Sequence, residues 1–353
     1  MILGVIGIVA LGVTIFAIFG IGGMVKIENA DKNSGEHGSL SSNSSTLRLV
    51  QSIPLSDVRG RIDHMDIDLD GQRLFVAELG SNSVDVIDLK SGKRIHQIDG
   101  LNEPQGVSFV QDSKRILVAN GGDGKVNIFD SDTFTLIKTI NLSSDADNTH
   151  YDPYQKLAYV GYGNGALGII DPTKGELVSN INLDGHPESF QISDELEPGI
   201  FVNVPGANMI EVVDGQKRTV VTKWSNKDAS GNYPMALDED GHRLFVGYRD
   251  PSQLYIIDTE TGKTITKLNI VGDPDDIFFD DKNKQIYISG GDGFIDIIAQ
   301  QDAYSYQEIA KIPTGKGART SLFVSTFDQL YVAIPDYLGQ QAQIQVYEIH
   351  KPG

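Results

Sequence analysis

Cysteine is absent from all 353 residues. Without it there are no disulfide staples, zinc–thiolate sites, iron–sulfur clusters, covalent c-type haem or cysteine nucleophile, and redox chemistry gives no guide to compartment. Positive charge is scarce too: 29 Lys and Arg stand against 48 Asp and Glu, a net charge of −19. Such a chain repels phosphate backbones and anionic lipid surfaces, so nucleic acid is not expected as a partner. Helical periodicity is missing as well, because apolar residues do not recur at 3.6-residue spacing outside the first segment.

What is present is a folded-protein composition, 40% hydrophobic and 22% charged. Residues 1–25, MILGVIGIVALGVTIFAIFGIGGMV, carry no charged side chain. As a helix they are long enough to cross the roughly 30 Å of a bilayer core. No basic stretch precedes the run and no clear A-x-A site follows it, so a retained membrane anchor is expected, with a cleaved signal peptide as the rival. Residues 26–45 are polar and rich in Ser and Gly, as suits a flexible tether. Asn43-Ser44-Ser45 and Asn141-Leu142-Ser143 are N-x-S sequons, which point to an extracellular or periplasmic domain, membrane-anchored or secreted.

From residue 46 to about 350 one segment type returns seven times. Anchored on a central β-branched residue, the copies centre on Val76, Val118, Val160, Val202, Val246, Ile288 and Val332, spaced by 42 or 44 residues. A period in the forties with short alternating runs is the signature of propeller blades of four antiparallel strands. In the first copy, strands a to d fall at 63–69, 73–79, 83–89 and 93–98, with Asp70-Gly71 and Ser91-Gly92 as turn signals. The seventh copy ends before a fourth strand, whereas TLRLVQSIPL (46–55) resembles the d strands TLIKTINL (135–142) and KTITKLNI (263–270). The expected fold is therefore all-β, a seven-bladed β-propeller closed by an N-terminal strand and preceded by one apolar helix.

The L-[YF]-V-[AGN] strand, its Gly turn and the following V-x-[VI]-[IF]-D resemble the YVTN-repeat β-propellers, related to surface-layer-type and periplasmic repeat proteins. The resemblance covers about residues 46–350. It implies architecture more than activity, since that superfamily holds lactonase-like enzymes, cofactor-dependent oxidoreductase domains and many members of unknown role. WD repeats are disfavoured, because the one tryptophan is Trp224 and no strand c ends in Trp-Asp.

In a propeller, the residues entering strand a of successive blades ring the channel. Here they are Asp63, Gln105, Asp147, Glu188, Tyr233, Asp275 and Arg319, followed by His64, Asn148, Ser189, Asp276 and Thr320. Asp63, Asp147, Glu188 and Asp275 form an oxygen-rich set suited to Ca²⁺, a placement that the lactonase-like resemblance also implies; no cofactor is otherwise required. The competing view is a water-filled mouth with solvated carboxylates partly neutralised by Arg319. His64, His150 and His186 lie near the same face but follow no ligand motif, and no nucleophile elbow accompanies them.

Other motifs have structural explanations. Asp66-Ile67-Asp68-Leu69-Asp70-Gly71 imitates the start of an EF-hand loop but reads as strand plus turn, and the Gly-Gly-Asp-Gly strings at 121–124 and 290–293 read as hairpin turns. Asp88, Asp130, Asp171, Asp214 and Asp258 end strand c, where an aspartate bonds its own turn. Asn82, Tyr162, Asn164, Asn208, Tyr248, Arg249 and Tyr337 are expected to wall the channel face.

The reading these observations support is a binding or protein-interaction propeller with an unidentified protein or small-molecule ligand. A metal-dependent lactonase-like hydrolase and an accessory domain of a membrane redox complex are the alternatives.

Overall fold

In a computed structural model, residues 47–193, 196 and 199–350 are described. The expected anchor (1–25) and tether (26–45) lie outside them. The described residues form seven four-stranded antiparallel sheets with only single-turn 3₁₀ segments between strands.

The first sheet runs Met65–Asp68, Arg73–Glu78, Ser83–Asp88 and Lys93–Ile98, and the second Pro104–Val110, Arg115–Asn120, Lys125–Asp130 and Leu136–Asn141. The third is Ala146–Asp152, Leu157–Tyr162, Ala166–Asp171 and Glu176–Asn182; the fourth is Phe190–Ile192, Gly199–Val204, Met209–Asp214 and Thr219–Ser225. The fifth holds Ser230–Asp238, Arg243–Asp250, Ser252–Asp258 and Thr264–Asn269, and the sixth Pro274–Asp280, Gln285–Gly290, Phe294–Gln300 and Tyr306–Pro313. In the seventh, Ser321–Val324, Gln329–Ile334 and Gln343–Ile349 are followed at the outer edge by Leu47–Pro54, which pairs antiparallel from Leu47 opposite Ile349 to Pro54 opposite Gln343.

Strands b and c carry the core because both faces of each sheet pack on a neighbouring sheet. Leu74, Phe75, Val76 and Ala77 are all fully buried, so alternation gives way to an unbroken apolar run. The seven apolar clusters draw on more than one sheet; one joins Ile53 and Leu55 to Val58, Leu74, Tyr331 and Ile344.

Strands a are tied around the ring by bonds from one blade to the next. His64 N–H reaches Gln105 O at 3.2 Å, Ser108 Oγ reaches Thr149 O at 2.9 Å, and Ser321 N–H reaches Asp276 Oδ2 at 2.7 Å. Thr320 Oγ1, in the seventh blade, donates to Ile62 O beside the first at 3.2 Å. These bonds satisfy polar groups that would otherwise be stranded between sheets.

The aspartates ending strand c behave as turn formers. Asp130 Oδ1 accepts the N–H groups of Asp132 and Thr133, and Asp171 and Asp214 do the same two and three residues on. The Asp66–Gly71 string is strand followed by turn, with Asp68 Oδ1 accepting from Gly71 N–H at 2.9 Å.

Two regularities were not anticipated. Each outer d strand bulges against strand c at one place, and the residue left out of the ladder is Val50, Ile95, Ile137, Val178, Val221, Ile265 or Ile309. A bulge on an edge strand twists it away from flat pairing with another chain. The other regularity is the variable x of V-x-[VI], which places Asp85, Asn127, Glu211 or Asp296 opposite Gln97, Thr139, Lys223 or Lys311 on strand d. Asp296, almost fully buried, meets Lys311 Nζ at 2.8 Å, a pairing that offsets the cost of its burial.

Candidate functional site

Each candidate ring residue sits where strand a irregularly leaves its ladder. In the third blade the register shifts between Ala146 and Thr149, which frees Asp147 and Asn148 from pairing. Similar shifts release Gln105, Tyr233 and Asp275. Gly106 makes room for this packing: a Cβ there would lie 2.2 Å from Asp147 O.

The ring divides into two halves. On one side guanidinium groups meet carboxylates. Arg61 Nη2 lies 2.9 Å from Asp63 Oδ2 and 3.7 Å from Asp275 Oδ2. Arg249 pairs with Asp275, approaches Asp273 Oδ1 at 3.2 Å, and stands over the Tyr233 ring at 3.7 Å. Arg319 Nη2 completes this side, 2.7 Å from Asp273 Oδ2. Burial raises the fully buried Asp63 carboxyl above its usual range, although His64 and Arg61 pull the other way.

On the other side the carboxylates face a histidine. Donor atoms of Asp147, His186 and Glu188 all lie within 4.8 Å of one another. His186 Nδ1 is 2.7 Å from Gly163 O, so that nitrogen carries the donated proton, and Nε2 faces Asp147 Oδ2 at 3.5 Å. Gly163 takes φ +63°, a conformation that favours glycine, and its carbonyl fixes the ring. Asp145 Oδ2 stands 3.6 Å from the same Nδ1, and Asp145 Oδ1 accepts from Gln105 Nε2 at 3.3 Å. Burial, then the charge of Asp147, push the Glu188 carboxyl up, and among the described residues it makes no hydrogen bond or ion pair.

Below the mouth a cavity of about 320 Å³ is lined by His64, Asn148, His150, Ser189, Gln191 and Asp276, among others. Burial alone would lower His64, but Asp63, Asp276, Asp147 and Asp275 outweigh it and push the ring up to about 9. His150 lacks such partners; it packs edge-on against Phe190 at 4.8 Å, and burial followed by repulsion from His64 lowers it to about 4. The three histidines thus occupy three environments.

A second cavity, of about 370 Å³, opens at the rim between Gly60, Arg61, Asp273, Lys316, Arg319 and Tyr337. Beside it the turn Tyr337–Gln340 is held by a Tyr337 N–H to Gln340 O bond of 3.1 Å and by Gln340 Nε2 on Pro335 O at 2.8 Å. That turn leaves Leu338 91% exposed.

The expected wall of the face needs correction. Tyr162 and Tyr248 are buried, the first donating its hydroxyl to Asn180 Oδ1 at 2.8 Å and the second stacking edge-on with Tyr255 at 4.8 Å. Asn82 and Asn208 are left-handed turn residues, at φ 57° and 51°. Of the set, Arg249 reaches the mouth and Tyr337 the rim, while Asn164 is exposed on its turn.

No family model matches the chain, and no curated protein matches it. Solved structures do. A chain of Kuenenia stuttgartiensis hydrazine synthase is 19% identical with a TM-score of 0.70, over 82% of this chain and 97% of that one. A chain of a mitotic checkpoint complex is 14% identical with a TM-score of 0.75, over 94% and 100%. The WD40 repeats of RRP9 are 11% identical with a TM-score of 0.72, over 87% and 98%. The chain has the seven-bladed propeller fold. At these identities the likeness extends to the fold alone, and the chemistry has to come from the propeller's own residues.

That chemistry differs across the mouth. The guanidinium side of this propeller is internally neutralised, which suits recognition by shape and hydrogen bonding. The histidine side presents one imidazole nitrogen and two carboxylates that, among the described residues, have no guanidinium within 4 Å, although the charge of Arg249 still reaches Glu188; that arrangement suits a cation.

Proposed function

We propose that the protein is a recognition module that presents the loop face around its channel to a protein partner outside the cell. A propeller fits a binding or interaction role because its rigid sheets hold many loops in one plane. The observation that carries the reading is Leu338, held out to solvent on a tied turn beside the rim cavity and Tyr337. An apolar side chain at 91% exposure stabilises nothing within the ring, and beside it stand an aromatic, Tyr337, and two arginines, Arg61 and Arg319, residue types enriched at protein interfaces. The extracellular setting is supported by the uncharged 25-residue leading segment and by the exposed sequon at Asn141.

Cross-linking and affinity capture from the native membrane fraction test this. A specific partner retained by wild-type protein is expected to be lost from a Tyr337→Ala/Leu338→Ser variant and kept by Ile95→Lys on the outer edge. A partner indifferent to the loop-face change and lost with the edge change would reject the reading.

A further inference from the structure

We infer that Asp147, His186 and Glu188 form a binding site for one divalent transition-metal ion, with Zn²⁺ the best match to the donor set. The inference does not depend on the interaction face, since it concerns only the three side chains between the third and fourth blades.

Three features carry it. The first is convergence: the donor atoms lie within 4.8 Å of one another, and ligands of one Zn²⁺ tetrahedron, at roughly 2.0–2.2 Å from the ion, stand about 3.4 Å apart. Modest side-chain rotation closes the difference. The second is the orientation of His186. Its Nδ1–H is spent on Gly163 O at 2.7 Å, which aims Nε2 at Asp147. Ligating histidines in proteins are held in this way, one ring nitrogen on a backbone carbonyl and the other on the metal.

The third feature is what the carboxylates lack. Asp147 is only 8% exposed, yet among the described residues its one ion-pair partner is His186, and Glu188 has none within 4 Å. Asp63 and Asp275 each have a guanidinium partner, whereas these two oxygen donors have only the His186 imidazole beside them, a deficit that a dication corrects. An imidazole beside two carboxylates selects a borderline transition metal over Ca²⁺, which prefers six to eight oxygens. Three protein ligands leave a further coordination position for water or a ligand atom.

The test uses the untagged full chain, stripped with chelator and titrated with ZnCl₂ and, in parallel, CaCl₂, with elemental analysis after gel filtration. One equivalent of Zn²⁺ should bind, and at least about 10- to 100-fold more weakly in Glu188→Gln and His186→Asn, since losing a ligand costs no less than losing an outer-shell partner. Because the Glu188 carboxylate makes no hydrogen bond among the described residues, and its backbone N–H bond to Asn203 O is untouched by the change, Glu188→Gln should fold normally, as its unfolding midpoint will show. Co²⁺ in the wild-type site should give a visible ligand-field spectrum that His186→Asn abolishes, and Leu338→Ser should leave Zn²⁺ binding unchanged. Failure to bind Zn²⁺, undiminished binding in both ligand variants, or preference for Ca²⁺ would each overturn the inference.

Discussion

The two halves of the channel mouth are built from the same backbone position and much the same residue type. Asp63 and Asp275 on one side, and Asp147 and Glu188 on the other, all stand at the entry to a strand a. Their fates differ because of what neighbouring loops bring within reach. Arg61 and Arg249 meet the first pair, whereas Asp145 and His186 meet the second. A ring of equivalent carboxylates is therefore not uniform: guanidinium groups stand within 4 Å of one arc, and histidine and a further carboxylate stand beside the other.

The sharpest way to break that contrast is Arg249→Ala. It strips Asp275, whose side chain is 9% exposed, of its close partner and removes the stack on Tyr233. Loss of one member of a largely buried pair should cost about 2–3 kcal/mol, read as a lower urea midpoint at unchanged slope. A cost no larger than that of His186→Ala in metal-free protein would erase the distinction between the halves.

Much of the architecture was legible because its causes are local and repeat seven times. Alternating apolar runs, turn glycines and the strand-c aspartates each act within a few residues, so the strands of the first blade fall within two residues of expectation. The ring membership of Asp63, Asp147, Glu188 and Asp275 follows from the same period. Their partners do not, because Arg249 reaches Asp275 from the adjacent blade and His186 lies in a connection of its own length. Tyr162 and Tyr248 misled for a related reason: strand b runs on through both positions and still packs between sheets there, so residues read as part of the loop after it are core. The d-strand bulge residues carried a signal, a β-branched side chain in every copy, but only pairing shows that it marks a skipped rung.

Acidity offers a second means of sharpening the comparison. His64 is raised to about 9 from an ordinary 6.5 by Asp63, Asp276, Asp147 and Asp275, once these outweigh burial. A raised folded-state value means that its stabilisation is complete below about pH 6.5 and is lost as pH climbs through about 9. Asp276, raised to about 7 chiefly by burial, acts in the same sense, since its folded form keeps a proton that the unfolded chain has already released. His150, lowered to about 4, works oppositely, but only between about pH 4 and 6.5. Stability should fall by on the order of 2 kcal/mol between pH 6.5 and 9. His186, which Asp147 and Gly163 raise to about 9 against the effect of burial, titrates in the same window, so His64→Asn should remove part of that decline; a slope unchanged in this variant would place the titrating groups elsewhere.

The smallest effect is also the most discriminating, because one chemical change is expected to act with opposite sign on the two arcs. In metal-free protein Glu188→Gln removes a charge that burial and Asp147 disfavour and that no hydrogen bond offsets. Its folded-state value is raised, so the wild-type penalty grows as pH rises above the usual carboxylate range and disappears in acid. The variant should therefore gain up to about 1 kcal/mol at pH 8 and nothing near pH 4. Asp275→Asn makes the same swap where Arg249 and Arg61 depend on the charge, and it should lose stability at pH 8. Thermal unfolding of both variants at the two pH values decides the matter. Equal signs would mean that the mouth is electrostatically uniform, and that the arginines do not divide it.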